Sequence, residues 1–484
     1  MTWSDAPEDD QHGSSTDAQH AGNASLPPDG SSKSDAAQCA VCTAKARKVA
    51  KDAIDMDRVR SHFPVLGGKT VPFNNAAGTV VLKDAIEAAS RVMNAMPIDH
   101  GDGDARSRAA QAEYSDKLRQ CAAFINAEPA EIAFGQSTTA LLRLLGQSLR
   151  PHLGPDAEMV CSTLCHEASA SAWVHLARSL GVTIKWWTPS RDGEDDPCLT
   201  VDSLRPLLTP KTRLVTCNHV SNVVGTIHPI RELADLVHTV PGCVFVVDGV
   251  AWAPHRPVDV KSLDVDFYCF SWYKVFGPHM AQLYAHRRAQ SRHMTSINHF
   301  WFDHSTLDGK VHLGTACYEL EAMCAPIARY LGDIGWDAII RQETVLTEVL
   351  LDYLVGRPDV YRVFGRRTAD PSQRVSIVIF EVLGRQSSDV VMQVHVRDRF
   401  RITWGDCWAP RPTFDVLRPH GDGIIRVSFV HYNTVAEVRE LCAELDDIVS
   451  TSAATGRGLP SDASRSRDGL LGHGENIDAS LGTS

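Results

Sequence analysis

VFVVDGVAWAPHRPVDVKSLDVDFYCFSWYK, from Val244 to Lys274, contains two short apolar runs, and each leads into an ionisable residue. The first, Val244 to Val247, ends in Asp248 and Gly249. The second, Asp266 to Phe270, is followed by Lys274, shortly before a Gly277-Pro278 turn. Runs this short, apolar and bounded by turn formers, read as strands of a mainly parallel sheet covered on both faces. Open α/β sheets place their ligands at the carboxyl ends of such strands, so Asp248 and Lys274 stand where a ligand would sit. Each also has a plainer reading. An aspartate after a strand serves as a turn former or helix cap, and a lysine among aromatics can pack its stem while the ammonium reaches water. A lysine held inside is costly unless it is paired, neutralised or used covalently.

The flanking chain carries the same alternation. Glu131 to Phe134 and Arg213 to Cys217 are strand-like, while Thr138 to Leu149 and Ile230 to His238 have helical periodicity. Short apolar strands alternating with amphipathic helices predict an α/β fold. After about Ala325 the pattern changes to a helical stretch from Trp336 to Val355. Two strands follow, Arg374 to Val382 and Ile424 to His431, then a closing helix from Val435 to Val449. These features predict a large domain over 96–325 and a smaller α+β domain over 326–450. Residues 53–95 are expected to pack with the small domain, and the polar stretches 1–52 and 451–484 to be disordered tails.

The chain has 484 residues, more than one ordinary core accommodates. Its formal charge of −11 argues against nucleic acid or an anionic membrane surface as a partner. No apolar run approaches the length of a membrane span. The acidic opening MTWSDAPEDDQHGSS lacks the basic start and apolar core of a secretory signal, so a cytoplasmic location is expected. Thirteen cysteines are scattered without a disulfide rhythm, several in strand-like runs, as reduced and packed thiols would be. Cys39 and Cys42 form a CxxC, but with no second pair or nearby histidine it is read as incidental or crosslink-prone, and no metal is expected.

A lysine and an aspartate at two nearby strand ends suit pyridoxal 5'-phosphate (PLP). That cofactor needs a lysine for its Schiff base and a carboxylate for its pyridine nitrogen. It also needs a phosphate anchor, ideally hydroxyls and amides at a helix start. Gly135-Gln-Ser-Thr-Thr-Ala140 offers one between a strand and a helix, although a plain Ser/Thr cap reads the same way. Ser271 and Tyr273 flank the lysine with further hydroxyls. His166, in CSTLCHEASASAW, could stack on a ring.

These segments, in this order, resemble the class V aminotransferase group of PLP enzymes, which includes the cysteine desulfurases. The residues that carry the resemblance are FNNAAGT (Phe73 to Thr79), FGQSTTALL (Phe134 to Leu142), LCHEA (Leu164 to Ala168) and HVSNVVGTIHPI (His219 to Ile230). They continue with VDGVAWAPHRPVDV (Val247 to Val260), SWYKVFGPHM (Ser271 to Met280) and RVSFVHYNT (Arg426 to Thr434). The resemblance implies fold type I: a mainly parallel, seven-stranded sheet covered by helices, plus a smaller α+β C-terminal domain. By the same resemblance Lys274 is the Schiff-base lysine, Asp248 the pyridinium partner and His166 the stacking histidine. Thr138, Thr139, Ser271 and Tyr273 form the phosphate cradle, and Thr315 reaches a phosphate across a homodimer interface. Arg426 clamps the substrate α-carboxylate, and Asn222 assists there or at the ring oxygen. Ala251 departs from the pattern, standing where relatives often carry glutamine or histidine.

Desulfurases need a nucleophilic cysteine on a mobile loop. The corresponding stretch is RITWGDCWAPRPT, Arg401 to Thr413, where the family's cysteine aligns with Trp408 and Cys407 lies one residue before it. RVRSHFPVLGGKT, STLCHEASASAW, YRVFGRR and APRPTFDVL bring the chain nearer to a cysteine desulfurase-like branch of fungal secondary metabolism, the ustiloxin-type decarboxylative aldolases. That branch removes the β-carboxylate of L-aspartate and adds the resulting enamine to an aldehyde, free or carried on a peptide, giving a γ-hydroxy-α-amino acid. The alternative is a cysteine desulfurase or C–S lyase acting on cysteine or a cysteine conjugate. Trp252, Trp272, Trp404 and Trp408 are candidates for an apolar wall that excludes water, although tryptophans more often pack in a core.

Overall fold

Val244 and Val246 point to one side of their strand and Phe245 and Val247 to the other, and both sides are buried. A strand buried on both faces needs helices above and below it, and a computed structural model of the chain has that arrangement. The structure describes residues 54–95, 103–189, 195–298 and 303–455. Both expected tails, with Cys39 and Cys42, lie outside the described residues, except that the last helix runs from Val435 to Thr455, past the expected end at Val449.

In chain order the strands are β1 (Val71–Pro72), β2 (Ile132–Gly135), β3 (Glu158–Ser162), β4 (Thr183–Trp187), β5 (Thr212–Asn218), β6 (Val244–Asp248) and β7 (Phe267–Ser271). Then come β8 (Ala281–Ala285), β9 (Tyr361–Phe364), β10 (Ile377–Val382), β11 (Phe400–Arg401), β12 (Thr403–Gly405) and β13 (Ile424–Ser428). The large sheet has seven strands in the order β2-β8-β7-β6-β5-β3-β4, and all neighbours pair in parallel except those of β8. The chain winds outward from β3 in both directions, so the switch in strand order falls between β3 and β5, where doubly wound sheets open a ligand crevice.

The covering helices follow their apolar stripes. Ile230–Val237 buries Ile230, Leu233, Ala234 and Val237, spaced at three and four residues on one face. Thr138–Leu149 buries Leu141, Leu142, Leu145 and Leu149 in the same way. The second sheet is antiparallel, in the order β12-β13-β10-β9, and Trp336–Val355 and Val435–Thr455 pack with it in one apolar cluster. Part of the N-terminal segment joins this side: β1 pairs with β11, and Phe73 stacks on Phe400. The domain boundary drawn after Ala325 falls inside a continuous helix, Tyr318–Ile334, which accommodates Pro326 in its interior.

Candidate active site

The carboxyl ends of β2, β3, β5, β6 and β7 converge on one cleft. It encloses about 520 Å³ of atom-free space, counting the part open to solvent, and its lining includes Thr138, Thr139, His166, Asn222, Asp248, Ser271, Tyr273 and Lys274. Eight of the ten residues singled out in the sequence therefore meet at one place. Ser137, Asn218, Val220, Val250 and Ala251 join them. Ser137 was missed although it sits in the quoted turn: it caps the helix, accepting from the Ala140 amide at 3.1 Å.

Asp248 ends β6 and is buried; its Oδ1 accepts from the Val250 amide at 3.0 Å. Burial pushes its carboxyl above the ordinary value, against the opposing pull of that hydrogen bond and of Lys274. The next residue must be small, because the Tyr268 ring lies 2.1 Å from where a Gly249 Cβ would be. Tyr268 Oη in turn hydrogen-bonds His219 Nδ1 at 2.9 Å, and His219 stacks on Trp252 at 3.8 Å.

Lys274 is 6 % exposed and follows β7 in a short 3₁₀ turn. Among the described residues its ammonium has no hydrogen bond or ion pair. Burial first, and Arg426 second, bring it down to about 8, so near neutral pH a usable fraction is the free amine. His166 caps the helix Glu167–Leu180, with Nδ1 accepting from the Ala168 amide at 3.0 Å. Burial, then Lys274 and Arg426, push it down to about 3, so the ring is neutral and its Nε2 carries the proton. Thr138 and Ser271 share a 2.8 Å hydroxyl–hydroxyl hydrogen bond across the cleft floor.

Arg426 comes from the other sheet. It sits on β13, 4 % exposed, and donates to the Asn222 carbonyl at 2.8 Å and to Asn74 Oδ1 at 3.2 Å. Its Nε has no partner, and neither does the buried Oδ1 of Asn222. No carboxylate pairs with it among the described residues. Arg426 is not itself among the residues lining the cleft, but its charge acts on both Lys274 and His166 there. A buried guanidinium without a counter-ion is costly, and such a group is a natural receptor for a carboxylate. Sequence reasoning overlooked Asn74, although it lies in the quoted FNNAAGT.

Other expectations fare differently. Thr315 is exposed and does not line this chain's cleft. None of the four tryptophans lines it either. Trp272 is fully buried among Phe124 and Phe270, Trp252 lies flat on His219, and Trp404 and Trp408 are 37 % and 76 % exposed. Trp272 and Trp252 thus follow the plainer core-packing reading and Trp404 and Trp408 turn to the surface, so none of the four forms a wall of this cleft. Cys407 is half-buried against the cluster holding Val223 and Val224, and burial raises its thiol above the usual range.

The unpaired cleft residues fit PLP. A lone buried amine, a strand-end carboxylate, hydroxyls at a helix start and an unmatched guanidinium each have a group of the cofactor or its amino acid to meet. Fold and cleft together define an α/β protein with a cleft organised around a buried lysine and a strand-end aspartate. Residues 71–441 match the family described as aminotransferase class-V, and the chain belongs to that family of PLP-dependent enzymes. It is 65 % identical over 412 residues to the cysteine desulfurase-like protein ustD of Aspergillus flavus, spanning 84 % of this chain and 94 % of that one. It is 59 % identical over 394 residues to the nonribosomal peptide synthetase-like enzyme fsqF of Aspergillus fumigatus, covering 81 % of this chain but 26 % of that larger protein. The apo cysteine desulfurase of Thermococcus onnurineus NA1 superposes with a TM-score of 0.73 at 24 % identity, covering 82 % of this chain and 98 % of that one, a likeness of fold.

Proposed function

We propose that this chain holds PLP in the cleft and acts in fungal secondary metabolism as a decarboxylative aldolase. The net reaction takes L-aspartate and an aldehyde to a γ-hydroxy-α-amino acid and carbon dioxide. PLP, when bound, supplies a carbonyl for the amino group and an electron sink for the carbon beside it. The observation that carries the PLP reading is the pair of buried basic groups, Lys274 and Arg426, neither ion-paired with a carboxylate among the described residues, and the choice of the aldolase branch follows the similarity to ustD.

In this reading Arg426 binds the α-carboxylate of aspartate, with Asn222 and Asn74 fixing the guanidinium plane. Lys274, which burial holds near 8, takes the proton from Cα and returns it. Asp248 would keep a proton on the pyridine nitrogen, and neutral His166 would pack against the ring without adding a competing charge. Thr138, Thr139, Ser271 and Tyr273, with Ser137, would hold the phosphate. A homodimer would bring Thr315 of the second copy to the same phosphate. The acceptor is an aldehyde, free or on a peptide.

A desulfurase or C–S lyase reading uses the same lysine and arginine and differs at Cys407, whose raised thiol is a poor nucleophile at neutral pH. The test incubates the PLP-loaded protein with L-aspartate and an aromatic aldehyde, and separately with cysteine. A carbon–carbon product from the first mixture supports the proposal. Sulfide from the second with no such product overturns it.

A further inference from the structure

The segment Asp406–Arg411 is tied to two points at the cleft, Asn222 of its lining and Glu167 beside the lining residue His166. On one side the Cys407 carbonyl accepts from Asn222 Nδ2 at 3.1 Å. On the other the Trp408 carbonyl accepts from the Glu167 amide at 2.9 Å, next to His166. Cys407 and Trp408 both adopt left-handed backbone, with φ of 52° and 59°. Non-glycine residues stay in that region only where their surroundings hold them. Part of the hold is local: Asp406 Oδ1 accepts from the Trp408 amide at 2.9 Å, and Thr413 donates to the Asp406 carbonyl at 3.3 Å. The rest is Arg411. It pairs with Glu167 at 2.5 Å, and its guanidinium lies 4.4 Å from the centre of the Trp186 ring on β4. This is the loop's single ion pair among the described residues.

We propose that Arg411 is a positioning residue for the acceptor half of the reaction. Through Glu167 and Trp186 it seats the Asp406–Arg411 strap at the cleft, between Asn222 on one side and His166 on the other. The inference rests on the aldolase reading above. Once carbon dioxide has left, the electron pair on the former β-carbon has two fates. It takes a proton, giving alanine, or it adds to the aldehyde carbon, and the aldehyde oxygen takes the proton. A seated strap limits water at that carbon and favours the second fate. It also packs Cys407 against Val223 and Val224, which limits its access to solvent.

The test compares wild-type holoenzyme with Arg411→Met, Arg411→Lys and the exchanged pair Glu167→Arg/Arg411→Glu, each supplied with L-aspartate and benzaldehyde. In Arg411→Met the ratio of alanine to carbon–carbon product is expected to rise about fivefold, with aspartate consumption changed by less than about twofold. Arg411→Lys keeps the charge but not the planar stacking, and should fall between; the exchanged pair should regain part of the wild-type ratio. A second arm needs no turnover: alkylation of Cys407 by iodoacetamide, followed by peptide mass mapping, should quicken about fivefold in Arg411→Met. An unchanged product ratio overturns the proposal, as does a parallel fall of both products at constant ratio, which is what a merely structural defect gives. If the wild-type protein makes no carbon–carbon product, the aldolase reading falls, and unchanged Cys407 labelling then removes the strap as well.

Discussion

Asp248 and Lys274 stand at the ends of strands buried on both faces, and the backbone places them almost without help from side-chain partners. Arg426 and the Asp406–Arg411 strap come from the four-stranded side and are tied by hydrogen bonds to Asn222, Asn74 and Glu167. Both sides are buried, Arg426 on β13 included, but the first places its groups with few side-chain partners while the second adds a small set of polar contacts. The difference assigns the chemistry to the first wall and the choice of substrate to the second. Changes in the first wall should abolish turnover, while changes in the second should redirect it.

The largest effect is expected at Lys274. In Lys274→Ala the proton at Cα loses its carrier, and turnover of aspartate should fall by about 100- to 10,000-fold. The visible absorbance of the PLP-loaded protein should disappear as well. A variant that keeps both the absorbance and the turnover would move the chemistry away from this strand end.

On the opposite wall, Arg426→Lys keeps the charge and loses the planar fork. Binding of the amino acid should weaken by about 1.5–3 kcal/mol, read as a raised KM with a smaller change in kcat. An equal loss in kcat alone would place Arg426 with the chemistry and erase the contrast between the walls.

The burial of Lys274 also predicts a pH effect in the cofactor-free protein. Its value falls from 10.5 to about 8 on folding, so the fold resists the proton. Between those values the unfolded chain binds the proton and the folded chain does not. Stability therefore declines as pH drops through that window, and the full penalty persists below about pH 8. Cofactor-free Lys274→Met should be more stable than cofactor-free wild type at pH 7 by on the order of 3 kcal/mol. The gap should close as pH rises above the unfolded value. Denaturant unfolding at several pH values measures it, and a gap that does not vary with pH would mean the ammonium is not held inside.

The contrast between the walls also sets what the sequence reveals. Asp248 and Lys274 are legible because a buried strand announces itself by its apolar run and the ligand end follows from polarity alone. Thr138, Thr139 and Ser271 follow from the same logic. Ser137, a local helix cap inside the quoted turn, is open to the same reading, but Asn74 and Glu167 are not. Their roles depend on chain segments far apart in sequence, such as Asn74 meeting Arg426 and Glu167 meeting Arg411. The tryptophans mislead for a related reason. Sequence proximity to site residues makes Trp252, Trp272, Trp404 and Trp408 candidates, but only tertiary packing shows Trp272 in the core and Trp252 on His219. Nor does the sequence separate Cys407 from a sulfur-carrying cysteine. That distinction lies in the cluster of Val223 and Val224 beneath it.

Cys407 gives the smallest expected effect and the sharpest division between the two readings of the reaction. What it contributes to the strap is its carbonyl, bonded to Asn222, and that bond survives any side-chain replacement. Its thiol is raised by burial and does little at neutral pH. Cys407→Ser should therefore change the rate with aspartate and aldehyde by no more than about twofold, the effect of a residue outside the reacting groups. The same variant assayed with cysteine provides the counter-test. If the wild type releases sulfide and the serine variant does not, the thiol is a sulfur acceptor despite its burial. The strap would then have to open during turnover, and the polar wall would carry chemistry after all.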